Sequence, residues 1–170
     1  MKEVAELLNT LREKGIITHY ALFGAVAQMR YTEAVATMDV DVLVALPATD
    51  DFVVLTPIYE FCSSLGYKAE GDAIRVGNWP VRFTPAFDEL TTGAMQYAGS
   101  AEMDGIPVRV VKADYLAVIA LSVGRNKDYL RILSLLESDA VTESQISALA
   151  EQHNLLNQWE TFKNRFLDEK

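Results

Sequence analysis

Cysteine is almost missing from these 170 residues: Cys62 stands alone. An intramolecular disulfide and any zinc cluster built on cysteines are thereby excluded, and a reducing cytoplasm is the expected location. Histidine is as scarce, and His19 and His153 have no metal-ligand spacing to each other or to an acid cluster. No run is long and apolar enough to span a bilayer. The opening MKEVAELLNTLREKG spaces Val4, Leu7, Leu8 and Leu11 as an amphipathic helix, not as a signal peptide. Neither a Gly-x-Ser-x-Gly elbow nor a Gly-x-x-x-x-Gly-Lys loop occurs. Positive charge is short as well, with 15 basic residues against 24 acidic and a net charge of −9. The acid excess lies in residues 1–70 (5 basic, 10 acidic) and 136–170 (3 and 7), whereas 71–135 is balanced at 7 and 7. Such a surface disfavours bulk, non-specific DNA binding but leaves room for a small phosphate site.

What is present reads as alternating helices and strands. After the first helix, Gly15 is placed as a C-terminal cap and THYALFG as a short strand ending at Gly24. AVAQMRY then predicts a short helix, residues 37–46 a strand, Pro47 to Asp51 a turn, and DFVVLTPIYEFCSSLG a helix that buries Cys62. YKAE, AIRV and WPVRFTP predict a meander turning at Gly71-Asp72 and Gly77-Asn78. DELTTGAMQYA predicts a helix, and Asp104-Gly105 marks a hairpin. From Ala113 the pattern is helical: a buried ADYLAVIALSVG stopped by Gly124, a helix capped by Asn126, and a tail with Leu155, Trp159, Phe162 and Phe166 on one stripe. The expected organisation is an α/β core over 1–112 and a helical C-terminal subdomain over 113–170.

The stretch TMDVDVLVAL carries the chemical question. A β-branched strand puts Val40, Val42 and Val44 on one face and both Asp39 and Asp41 on the other. At roughly 6 Å and an effective dielectric of about 20, two such charges repel by about 3 kcal/mol unless a cation or proton relieves them. Upstream stands Phe23-Gly24-Ala25, separated from Asp39 by thirteen residues. A glycine between strand and helix lets the backbone approach a phosphate, and neighbouring carboxylates suit Mg²⁺ when a substrate's phosphates complete its shell.

These residues, with RFTPAFDELTTGAMQYA, GIPVRVVKADYLAVIAL and GRNKDYLRIL in that order, resemble the DNA polymerase β-like nucleotidyltransferases, and among them the small bacterial AbiEii-type proteins. The resemblance spans residues 16–137. It implies a nucleotidyltransferase-like mixed β-sheet flanked by helices. It further implies that Asp39 and Asp41 are catalytic metal ligands for Mg²⁺ (or Mn²⁺), and that Gly24 and Ala25 hold nucleotide phosphates. Thr37 positions the acidic pair, and Arg125 and Lys127 face the triphosphate or an acceptor. The implied partners are a nucleoside triphosphate, an RNA or protein hydroxyl as acceptor, and an antitoxin. Three positions depart from the pattern: Ala25 lacks a hydroxyl, Ala120 replaces a lysine, and no third carboxylate appears where WPVRFTP offers Arg82 and Thr84. Asp88 is the remaining substitute for that acid, and Arg82 is read as pairing with an acidic neighbour across the sheet. The alternative implied by these losses is a degenerate member that binds a nucleotide or partner protein without turnover.

Overall fold

The computed structural model describes residues 1–48 and 55–167. Helix α1 (Lys2–Glu13) buries Val4, Leu7, Leu8 and Leu11 and ends in Gly15, whose φ of +68° is the left-handed value that favours glycine after a helix. Strand β1 (His19–Phe23) runs into the short helix α2 (Gly24–Gln28), and β2 (Val40–Ala45) returns antiparallel beside β1. The expected turn from Pro47 to Asp51 and the first residues of the next predicted helix fall largely outside the described residues. Helix α3 (Thr56–Ser64) carries Pro57 in its first turn, where the missing N–H costs nothing, and buries Cys62.

The meander follows as β3 (Lys68–Glu70), β4 (Ala73–Val76) and β5 (Trp79–Pro85), all antiparallel to their chain neighbours. Next come α4 (Glu89–Gln96) and the hairpin β6 (Gly99–Met103) and β7 (Ile106–Val110). Asp104 and Gly105 both have positive φ, 50° and 79°, the combination a two-residue hairpin turn needs to match strand twist. Helices α5 (Ala113–Val123), α6 (Asn126–Glu137), α7 (Glu143–Gln152) and α8 (Leu156–Phe166) complete the chain.

The sheet order is β3-β4-β5-β2-β1-β7-β6, with β2–β5 and β1–β7 parallel and the other pairs antiparallel. It is the expected mixed sheet flanked by helices. The aspartate strand β2 is therefore central, and Val40, Val42, Leu43 and Val44 are fully buried. Its open part is the N-terminal end, which holds Asp41; Asp39 lies one residue before the strand, which starts at Val40 and not at Thr37 as expected. One hydrophobic cluster joins the sheet to α5, α6, α7 and α8, and the aromatic stripe of α8 faces inward: Trp159 and Phe162 are buried and stack 5.5 Å apart. Asn126 is not the cap of α6 but its first residue. Arg125 is the N-cap, because its backbone N–H finds the Asp128 carboxylate at 3.2 Å.

Candidate functional site

Register brings the key side chains together. Asp41 lies opposite Phe23 on β1 and opposite Arg82 on β5, so the residue that follows Phe23, Gly24, abuts the Asp41 carboxylate. A Cβ at Gly24 would stand 2.5 Å from Asp41 Oδ2, and Gly24 has φ of +65°. Both the space and the backbone conformation demand glycine there. Thr37 holds the turn into β2: its hydroxyl donates to the Asp39 carbonyl at 2.8 Å and accepts the Asp39 N–H at 3.4 Å. Thr37 thus fixes the approach of Asp39 from the chain side, a positioning contact.

The charge problem of the two aspartates is answered within the chain. Arg82 Nη1 donates to Asp39 Oδ2 at 2.9 Å and to Asp41 Oδ1 at 3.1 Å, while its Nε donates to Asp72 Oδ2 at 2.8 Å. The expected pairing of Arg82 across the sheet is present, and it engages three carboxylates. Hydrogen bonding to Asp72 first, then to Asp39, pushes the guanidinium pKa above its ordinary value. On Asp41 the balance differs. Burial first, and the Asp39 charge second, raise its carboxyl above the usual range, and Arg82 offsets this only in part. The guanidinium sits within hydrogen-bonding distance of both carboxylates, and at Asp41 burial outweighs what that pairing contributes.

Whether a divalent ion fits can be judged from the donor set. Among the described residues no group of three or more His, Cys, Asp or Glu side chains is placed to hold a metal. Asp88 is not the missing acid, since its carboxylate accepts the Thr91 N–H at 2.7 Å as the N-cap of α4. The outward positions of β5, where the resemblance implies a third carboxylate, carry Arg82 and Thr84, and Arg82 brings a cation to the pair. In this arrangement the Asp39 and Asp41 carboxylates are taken up by the Arg82 guanidinium, which a divalent ion would have to displace.

A second cluster flanks the first. Arg125 Nε donates to Asp128 Oδ2 at 2.7 Å, Arg131 Nη1 to Asp128 Oδ1 at 3.4 Å, and Arg131 Nε to Gln28 Oε1 at 3.1 Å. Asp128 is 1% exposed, so it is a buried anchor for both arginines. Burial lowers the Arg131 pKa, against the pull of Asp128 and of Asp41. Arg125 also feels the Asp41 charge, which sets the start of α6 beside the aspartates. Of the residues named from the sequence, Gly24, Thr37, Asp39 and Asp41 share one corner. Arg125 borders it but is engaged with Asp128, and Lys127 is exposed. Ala25 is half-buried in the first turn of α2. Sequence reasoning missed Gln28 and Arg131; the three-residue spacing of Asp128 and Arg131 on one helix was the available signal.

The sequence matches no family model and no curated protein. Solved structures do resemble it. The antibiotic-resistance factor ANT(2'')-Ia, in its solution structure, aligns over 94% of this chain and 96% of its own, with 15% identity and a TM-score of 0.53. An antigenic nucleotidyltransferase-like protein from Paracoccidioides brasiliensis aligns over 92% and 90%, with 12% identity and a TM-score of 0.55. The chain therefore has a nucleotidyltransferase-like fold.

Proposed function

We propose that the chain binds a nucleotide at the corner between Gly24 and Asp41 without metal-dependent turnover, with Arg82 acting as the cation its acidic pair requires. One observation carries this reading: a single guanidinium nitrogen donates to both Asp39 and Asp41, at 2.9 and 3.1 Å. A tethered guanidinium neutralises the pair as a divalent ion would, but it brings no exchangeable ligand sites with which to activate an attacking oxygen. Arg82 Nη2 makes no hydrogen bond among the described residues. With Arg125, Lys127 and the backbone around Gly24 and Ala25, it forms the set that would meet phosphate oxygens, while Thr37 keeps Asp39 in place.

A second reading is nucleotidyl transfer from a Mg²⁺- or Mn²⁺-bound nucleoside triphosphate to an RNA or protein hydroxyl, with an antitoxin as partner, as the AbiEii-type resemblance implies. The observation in its favour is exposure. Arg82 is 37% exposed and its partners Asp39 and Asp72 are 34% and 75% exposed, so solvent screens these contacts and lets Arg82 withdraw from the pair.

Calorimetric titration with ATP, GTP, CTP and UTP, with and without Mg²⁺, separates the two. The first reading expects saturable binding that Mg²⁺ leaves unchanged and that Arg82→Ala weakens about tenfold, with no labelled nucleotide passed to total RNA or to the protein. Mg²⁺-dependent binding abolished by both Asp39→Asn and Asp41→Asn, together with label transfer, decides for the second. Absence of nucleotide binding under every condition ends both.

A further inference from the structure

At the opposite end of β1 and β2 the chain gathers positive charge and leaves it unanswered. A cleft of about 540 Å³ opens there between the last turn of α1, the start of β1, α4 and β7, with Arg12 and Arg109 on its wall. Of the other arginines, Arg75, Arg82, Arg125 and Arg131 each have a carboxylate partner, while Arg30 and Arg165 have none among the described residues and line no such cleft with a second arginine. Arg12 and Arg109 have no ion pair and no side-chain hydrogen bond among the described residues, although the chain carries a net charge of −9. Arg109 is only half-exposed, so water does not freely supply the missing partner. The two arginines line one cleft with no acid among its lining residues, and a bound anion would supply the missing counter-charge.

The placement is built. Asn9 ties α1 to both neighbouring strands: its Oδ1 accepts the Tyr20 hydroxyl at 2.8 Å, and its Nδ2 donates to the Pro107 carbonyl at 2.8 Å. The Arg12 guanidinium rests 6.0 Å from the centre of the Tyr20 ring. Burial raises the Tyr20 pKa, while Arg12 and then Arg109 pull it down, so both cations act on the same phenol. Met95 contributes a buried apolar wall, and His19 and Gln96 stand exposed beside it. The volume falls in the range of small-molecule sites, roughly 300–1,000 Å³, and forked guanidiniums match planar or tetrahedral oxyanions.

We propose that this cleft binds a small organic oxyanion, a phosphate monoester or a carboxylate attached to an apolar or aromatic group. Arg12 and Arg109 clasp the anion, and Tyr20 and Met95 receive the apolar part. The inference is independent of the reading of the Asp39 and Asp41 corner. Calorimetry or saturation-transfer NMR on the full chain tests it with phenyl phosphate, benzoate and inorganic phosphate as probes. The expected result is one saturable site in which phenyl phosphate or benzoate binds more tightly than inorganic phosphate; the tighter of the two organic probes identifies the head group. Arg12→Gln and Arg109→Gln should each weaken binding about tenfold, and Arg109→Lys should do so less, because the charge survives while the fork does not. Lys14→Gln, which removes a cation that lies over the Phe61 ring and does not line the cleft, should leave the affinity unchanged. Failure of all three probes to saturate overturns the proposal. So does an equal loss in Lys14→Gln, which reveals diffuse attraction, or binding indifferent to both arginine variants in chains whose circular dichroism shows them folded.

Discussion

The two ends of the β1–β2 pair pose the same electrostatic problem with opposite sign and answer it differently. At the end where Phe23 faces Asp41, two carboxylates crowd together and Arg82 neutralises them from the adjacent strand. At the end where His19 faces Ala45, two arginines border one cleft with no acid between them. A cluster whose counter-charge is part of the chain is complete when folded. One whose counter-charge is absent is left to take it from a ligand. The strongest test of this contrast is one substitution made at both ends. Arg82→Gln leaves Asp39 and Asp41 facing each other, and with solvent screening at two partly exposed acids it should lower stability by about 1–2 kcal/mol. Arg109→Gln breaks no ion pair among the described residues, so stability should hold within about 0.5 kcal/mol. Urea unfolding of the two variants reads the difference directly, and equal losses would erase the distinction between the ends.

A smaller effect sharpens the same comparison through pH. The Asp41 carboxyl is raised by burial and by Asp39, so as pH falls the folded state takes up this proton before the unfolded chain does. The penalty for keeping Asp41 ionised is thus present at neutral pH and is relieved as pH falls through its folded value, towards the unfolded value of about 3.9. Arg82→Gln removes the pull that holds that pKa down. Its stability deficit relative to the parent should therefore be widest near neutrality and narrow on acidification. Arg109→Gln should show no such narrowing, because its guanidinium stays charged throughout that range. Unfolding curves at several pH values check this. A deficit in Arg82→Gln that does not change with pH would show that Asp41 is not the group whose charge the arginine offsets.

The parts legible in the sequence are those that local chemistry decides. Asp104-Gly105 turns where two successive positive φ angles are needed, Gly124 stops α5 in the left-handed conformation, and Val40, Val42 and Val44 line a buried face of a strand. The strands of the meander were equally plain, and alternation along WPVRFTP marked Arg82 as a residue in search of an acid. Which acid was not legible. The parallel register of β2 with β5 sets Asp41 opposite Arg82, and no local signal encodes a parallel pairing across an intervening crossover. The burial of Asp128 was not legible for a related reason: its partner Arg131 also reaches Gln28, on a helix and 103 residues earlier in the chain. The cleft of Arg12 and Arg109 was invisible because its walls come from the first helix and the last strand, joined through Asn9 and Pro107 across 98 residues.

The smallest effect concerns Asp72, the third carboxylate on Arg82. It sits in the turn between β3 and β4 and is 75% exposed, whereas Asp39 and Asp41 are 34% and 24% exposed. Its hydrogen bond is the largest single influence raising the Arg82 pKa, yet an exposed partner gains little free energy because water serves nearly as well. Asp72→Asn should therefore change stability by no more than about 0.5 kcal/mol in urea unfolding, and less still in high salt. If Arg82 is there to answer Asp39 and Asp41, losing Asp72 leaves its task intact. A loss matching that of Arg82→Gln would instead mean that the arginine is anchored chiefly to the turn, and the acidic end would then be nearly as uncompensated as the basic one.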